Sequence, residues 1–294
     1  MAGPYSHVIA CQLASESKLL SRELRQLLNQ HHCFLLLGSV SPDLPSIWDA
    51  TPFESEKWSD KMHKGAGTNN VVKEAFTELR SVPDTDPRVA WLFGYVGHMV
   101  ADVVVHPVVR AVLSGRSEKN LHQIIEICQD TLCFNDIKHY ALKKEFFLDW
   151  LTECSAPKYK NQFNQTLALW ERALKHTFGG EPSCRTWYTT YFDALHLSVN
   201  IPFQFRGYTY PEISKISAQD KKDFYTDVTL PVPDVPKASF RGIVLERAAV
   251  HITDVWKALW DCRKHGGNVT DIVPDWDLNS GTNRDTGREK DLWQ

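Results

Sequence analysis

The sequence predicts an all-α fold, and three observations carry that expectation. Apolar residues recur at helical spacing through most of the chain. Sustained strand alternation is absent, and proline and glycine clusters cut the pattern into short pieces. Of 294 residues, 43% are hydrophobic, so a large core is expected rather than disorder. We expect a core over residues 1–180, a helical and loop extension over 181–276, and a polar, frayed tail over 277–294.

In chain order, residues 8–30 have helical periodicity through Val8, Ile9, Leu13, Leu20, Leu24, Leu27 and Leu28. His7 is expected at the mouth of that helix, with Ser6 as its cap. After Phe34-Leu35-Leu36-Leu37-Gly38 comes Ser39-Val40-Ser41-Pro42-Asp43-Leu44-Pro45, where two prolines hold Asp43 on a stiff loop. An ordinary turn is the alternative reading of that stretch. Residues 46–67 are aromatic and polar, and a helix follows at 69–80. A central apolar helix is expected over 88–112, with Pro107 bending or ending it near His106. Further helices are expected from 121, over 136–154 (Phe146, Phe147, Leu148, Trp150 and Leu151 in the core) and over 160–177. Others are expected over 187–199 and 240–263, with a proline-rich ordered loop at 201–238.

The net charge of −3 offers no electrostatic grip on nucleic acid or an anionic membrane. Apolar runs read as too short to cross a bilayer, and the first residues lack the pattern of a signal peptide. Cysteines 11, 33, 128, 133, 154, 184 and 262 are scattered, without a Cys-x-x-Cys pair. They read as reduced, buried thiols of a cytoplasmic protein, leaving histidine as the better metal ligand.

The chemistry concentrates in Gly94 to Pro107. His98 and Asp102 are four apart and share a helix face, and His106 is four further on. Such side chains inside an apolar helix cost desolvation energy unless something pairs them. His122 and Glu126 form a second pair with that spacing. With His7, Asp43 and His63 they make a set of nitrogen and carboxylate donors suited to zinc. Taken singly, His31, His32, His139, His176, His196, His251 and His265 read as ordinary core or surface histidines.

The order of these pieces resembles the zinc-dependent phospholipase C family, related to the S1/P1 nucleases and the catalytic part of glycosylphosphatidylinositol phospholipase D. The matching pieces are His7 in Pro-Tyr-Ser-His, Gly38 through Pro45, Asp60-Lys61-Met62-His63, Gly97 through Asp102, His106-Pro107, and His122 with Glu126. They span roughly the first 130 residues. The resemblance implies a phospholipase C/P1 nuclease-like helical domain with a multinuclear metal cleft holding two or three zinc ions. One would take Asp43, His63, His98 and Asp102, a second His106, His122 and Glu126, and a third His7 with Asp102 as a bridge. Secreted relatives complete the third site with a processed N-terminal tryptophan. Here six residues without tryptophan precede His7, so backbone or water would serve.

The expected activity is metal-dependent hydrolysis of a phosphodiester, lipid-like or small and organic, with Asp43 as the catalytic residue that orients or deprotonates water. Leu44 stands where choline-specific secreted relatives carry tyrosine, so choline specificity is not expected. Tyr5, Trp48, Phe53, Trp58 and Tyr95 are candidates for cleft walls or core. The alternatives are a nuclease or nucleotidase on the same cluster, a structural metal or binding module, and a metalloenzyme of cytosolic metabolism turned to another reaction.

Overall fold

The computed structural model describes residues 4–46, 54–113, 125, 144–198, 204–205, 208–209 and 240–293. Helices dominate. The expected 8–30 helix is two: α1, Pro4–Ser15, and α2, Arg22–Gln30. Pro4 suits the first position of α1, because its missing N–H would be unbonded there in any case. His7 and Ser6 therefore lie within α1 rather than at its entrance. The break before α2 is marked by Ser21, whose Oγ accepts the Leu24 N–H at 3.2 Å as an N-cap.

Helix α3, His32–Val40, is buried almost throughout and leads into a 3-10 turn over Ser41–Ser46 that carries Asp43. Next come α4, Glu54–Lys64, and α5, Thr68–Leu79. The central helix α6 spans Pro87–Leu113. Asp86 caps it by accepting the Arg88 N–H at 2.9 Å. As the expected 88–112 span requires, α6 continues past Pro107 to Leu113, so the proline does not end it. Contrary to the reading of short apolar runs, Pro87–Ala111 is long and apolar enough to cross a membrane, yet residues 89–109 within it are all buried by other parts of the fold. A helix apolar on all sides and covered on all sides is a core helix.

Beyond it lie α7, Lys144–Ser155, α8, Lys160–Phe178, and α9, Cys184–Ser198. Of the core residues expected in α7, Leu148 and Leu151 are buried. A π-helical turn, Phe240–Leu245, opens into α10, Glu246–His265, which packs on both α1 and α6. The early part of the 136–154 helix and most of the 201–238 loop lie outside the described residues. Within the latter only the two-residue ladder of β1, Gln204–Phe205, with β2, Tyr208–Thr209, is described.

Two close approaches position the site. A Cβ on Gly94 would lie 2.0 Å from the Leu35 carbonyl oxygen, and one on Gly38 would lie 2.0 Å from that of Trp91. Helices α3 and α6 thus touch backbone to backbone, a contact that any side chain would block. On another side of α6, Gly97 makes room for Cys11 of α1, where a Cβ would meet Sγ at 2.5 Å.

The segment after α10 corrects the expectation of a frayed tail. Strands β3, Trp276–Asp277, and β4, Thr282–Asn283, form a small antiparallel ladder, and a 3-10 turn follows at Asp291–Trp293. Leu278, Trp276 and Trp293 are buried. Asp275 accepts the N–H groups of Gly67 at 2.8 Å and Thr68 at 3.0 Å, capping α5 from the other end of the chain. Polar residues such as Asp275 and Asn283 here serve as caps and clasps, while 285–289 are exposed.

Candidate metal centre

Six of the eight expected ligands are described, and all six come together in the interior. His7, Asp43, His63, His98, Asp102 and His106 are each no more than 2% exposed. They arrive on α1, the Ser41–Ser46 turn, α4 and, for the last three, successive turns of one face of α6. His122 and Glu126 lie outside the described residues.

Asp102 is the hub. Its carboxylate oxygens stand 3.3 Å from Nε2 of His7, 3.5 Å from that of His63, 3.4 Å from that of His98 and 3.6 Å from that of His106. Asp43 faces the same space, 3.3 Å from His63 Nε2 and 3.7 Å from His7 Nε2. The His63 and His98 Nε2 atoms are 3.2 Å apart. Among the described residues, two groups have donor atoms near enough to share one ion: His7, His98 and Asp102, and Asp43, His63 and His98.

The opposite ring edges explain this convergence. Nδ1–H of His63 donates to the Ser59 carbonyl at 2.7 Å, and that of His98 to the Ser39 carbonyl at 2.9 Å. His106 Nδ1–H donates to the Leu278 carbonyl. A carbonyl oxygen has no proton to give, so each Nδ1 must carry one. In the neutral ring the lone pair then sits on Nε2, pointed inward, as metal-ligating histidines require. Around His98 the glycine contact of α3 with α6 is what brings the Ser39 carbonyl within reach.

Electrostatics follow from burying charge this densely. Burial pushes the Asp102 carboxyl up, but His106, His98 and His7 outweigh it and hold it well below the usual carboxylate range. Asp43 is likewise raised by burial and more strongly lowered by His98, His63 and His7. Burial lowers His98, yet the Asp102 and Asp43 carboxylates raise it above the ordinary histidine value. His7, stacked on His98 with ring centroids 3.7 Å apart, is lowered by burial and by that neighbour.

The donor spacing tests whether zinc fits. Bonds of about 2.0–2.2 Å in a tetrahedron put neighbouring donors roughly 3.3–3.6 Å apart. The separations of 3.2–3.7 Å match that edge. They are mostly longer than the 2.7–3.2 Å or so of ordinary hydrogen bonds from nitrogen to oxygen. Neither ring nitrogen of His7 makes a hydrogen bond of ordinary geometry, Nε2 facing only the Asp102 and Asp43 carboxylates at 3.3 and 3.7 Å, an arrangement that a ligand would relieve. The residues present fit the metal.

Sequence reasoning missed the supporting shell. The Ser39, Ser59 and Leu278 carbonyls and the glycine contacts have no side-chain signature, although Gly38, Gly94 and Gly97 are visible as glycines inside apolar helices. Among the aromatic candidates, Tyr5, Trp58 and Tyr95 are buried core, with Trp58 against Trp187 and Tyr95 against Trp91. Trp48 and Phe53 lie outside the described residues. Cys11, Cys33, Cys154, Cys184 and Cys262 are free, buried and absent from both ligand groups. Cys128 and Cys133 are not among the described residues.

A helical scaffold here encloses a buried histidine–aspartate centre able to hold metal ions. A family model, zinc dependent phospholipase C, matches residues 6–180. The chain belongs to the zinc-dependent phospholipase C family. Searches of curated proteins and of solved structures return no match.

Proposed function

We propose that this protein is a zinc-dependent phosphodiester hydrolase of phospholipase C type, acting on a lipid-like or small organic phosphodiester. The observation that supports it most is the four histidine Nε2 atoms directed at the two carboxylates of Asp102 and Asp43. In this reading His7, Asp43, His63, His98, Asp102 and His106 hold zinc, with His122 and Glu126 completing the set for two or three ions.

Bound zinc supplies Lewis acidity toward a phosphoryl oxygen and makes water a stronger acid. The chain supplies the rest. Asp102, reached by histidines from three helices, would supply negative charge at the middle of the cluster to offset the positive charge of bound metal. Asp43 is held by a turn with Pro42 and Pro45 on either side, so its carboxylate is fixed in direction. One of its oxygens would orient the attacking water or take its proton while the other stays with the ligand group. The Nδ1 bonds keep the imidazoles from turning away, so the cluster needs little reorganisation when substrate arrives.

Two measurements test this. Protein purified without chelator should hold two or three zinc ions per chain, and one or none would sink the cluster. Hydrolysis of bis-p-nitrophenyl phosphate should fall at least about 100-fold in Asp43→Asn with the circular dichroism unchanged. Unaltered turnover in that variant would remove Asp43 from the mechanism. Comparison with p-nitrophenyl phosphorylcholine and single-stranded DNA separates lipid-like from nucleolytic specificity, and inertness toward all three would reject hydrolysis of this kind.

A further inference from the structure

The family match ends at residue 180, yet one ligand of the centre is held by residue 278. The Leu278 backbone makes two bonds at once: its N–H donates to the His63 carbonyl at 2.8 Å, and its own carbonyl accepts His106 Nδ1–H. One peptide stretch thereby ties the end of α4 to the face of α6.

The surrounding residues explain how it stays there. Pro107 has no N–H, so the Val103 carbonyl one turn earlier lacks its helical donor. Gly281 lies over that carbonyl, where a Cβ would come within 2.7 Å of the oxygen and 2.9 Å of the Pro107 ring. Its φ of +70° is itself a glycine conformation. Trp293 closes the other side by donating Nε1–H to the Val104 carbonyl at 2.7 Å. Asp291 locks the loop by accepting from Trp276 Nε1 and Asn283 Nδ2, each at 3.0 Å. The proline turn of α6 is thus a socket, and the C-terminal segment is built to its shape.

We infer that residues 275–293 form a strap that positions His106 for its metal, so that zinc at the His106 end and docking of the strap stabilise one another. This rests on the zinc reading above. Partners of the non-ligating ring nitrogen orient the ligand and are worth about 10–100-fold in metal affinity. Linkage is reciprocal: whatever the strap adds to zinc affinity, zinc must add to strap docking.

Two kinds of variant probe this, with zinc alone as the ligand. Gly281→Ala lifts the strap off the Val103 carbonyl, and Trp293→Phe removes one hydrogen bond while keeping the packing. In Gly281→Ala we expect one zinc ion per chain to weaken about 10–100-fold in chelator competition, with the remaining zinc unchanged. The cobalt-substituted protein should lose or shift the absorption bands of one site only. Trp293→Phe should show the same change in smaller degree. In the unaltered protein, amide exchange at Leu278 and Gly281 should slow when zinc is added. That readout stands even if Gly281→Ala fails to fold. Zinc-independent exchange of the strap, or unchanged zinc affinity in a folded Gly281→Ala, would overturn the inference. Failure of the unaltered chain to bind zinc would overturn the zinc reading instead.

Discussion

At His98 the central helix meets α3 backbone to backbone, whereas at His106, about two turns on, it meets a loop from the far end of the chain. Both rings need a carbonyl to accept Nδ1–H. The first is met by two glycines that let neighbouring helices touch, the second by a clasp fitted to a proline-opened turn. The difference is one of cooperativity. The α3–α6 contact belongs to the core and fails only with the fold. The strap rests on a few hydrogen bonds, one backbone fit and two buried tryptophans, so it opens at lower cost.

Substitutions at the two ends should therefore fail in different ways. The largest effect is expected from Gly94→Ala, whose new methyl would overlap the Leu35 carbonyl at 2.0 Å. We expect a loss of about 3 kcal/mol in urea unfolding, the upper end of overpacking costs, with all zinc sites weakened together. A stable Gly94→Ala protein retaining every zinc would show that the core end is as adaptable as the strap. Asp275→Ala comes next, because it removes the cap on α5 and the anchor at the start of the strap. A loss of about 1–2 kcal/mol is expected, with faster amide exchange in 276–283 and no change near His98. Uniform exchange across both ends would erase the distinction.

The smallest effect concerns only the start of α6. Burial raises the Asp86 carboxyl, but hydrogen bonds and charge from Arg88 hold it below the ordinary value. A carboxyl lowered by folding stabilises above its unfolded pKa and ceases to do so as pH falls through the folded one. Asp86→Ala should cost about 1 kcal/mol near neutral pH. The gap between variant and unaltered protein should close below roughly pH 4. A gap that keeps the same size as the pH is lowered until the fold is lost would mean that the residue acts by packing alone.

Much of the site was legible before the fold was known, because an i, i+4 repeat on a helix is a statement about space. His98, Asp102 and His106 share a face for that reason, and the prolines beside Asp43 announced a fixed turn. Helix ends were less legible: Pro4 starting α1 moved His7 inside a helix that periodicity began at residue 8. What covers the turn that Pro107 opens within α6 could not be read locally, since it is Gly281, Trp293 and their neighbours from the far end of the chain. The polar end of the chain misled for a related reason. Asp275, Asn283 and Asp291 are polar there because they cap and clasp buried backbone.

The sequence by itself determined the helical class, the nitrogen and carboxylate character of the ligands, and the side of α6 on which three of them lie. These follow from residue type and the 3.6-residue repeat, both local properties. Only the tertiary structure decided which carbonyls the imidazoles of His63, His98 and His106 face, how closely α3 may approach α6, and that Leu278 reaches the candidate centre. A backbone carbonyl is the same in every residue, so its role comes wholly from where the folded chain carries it.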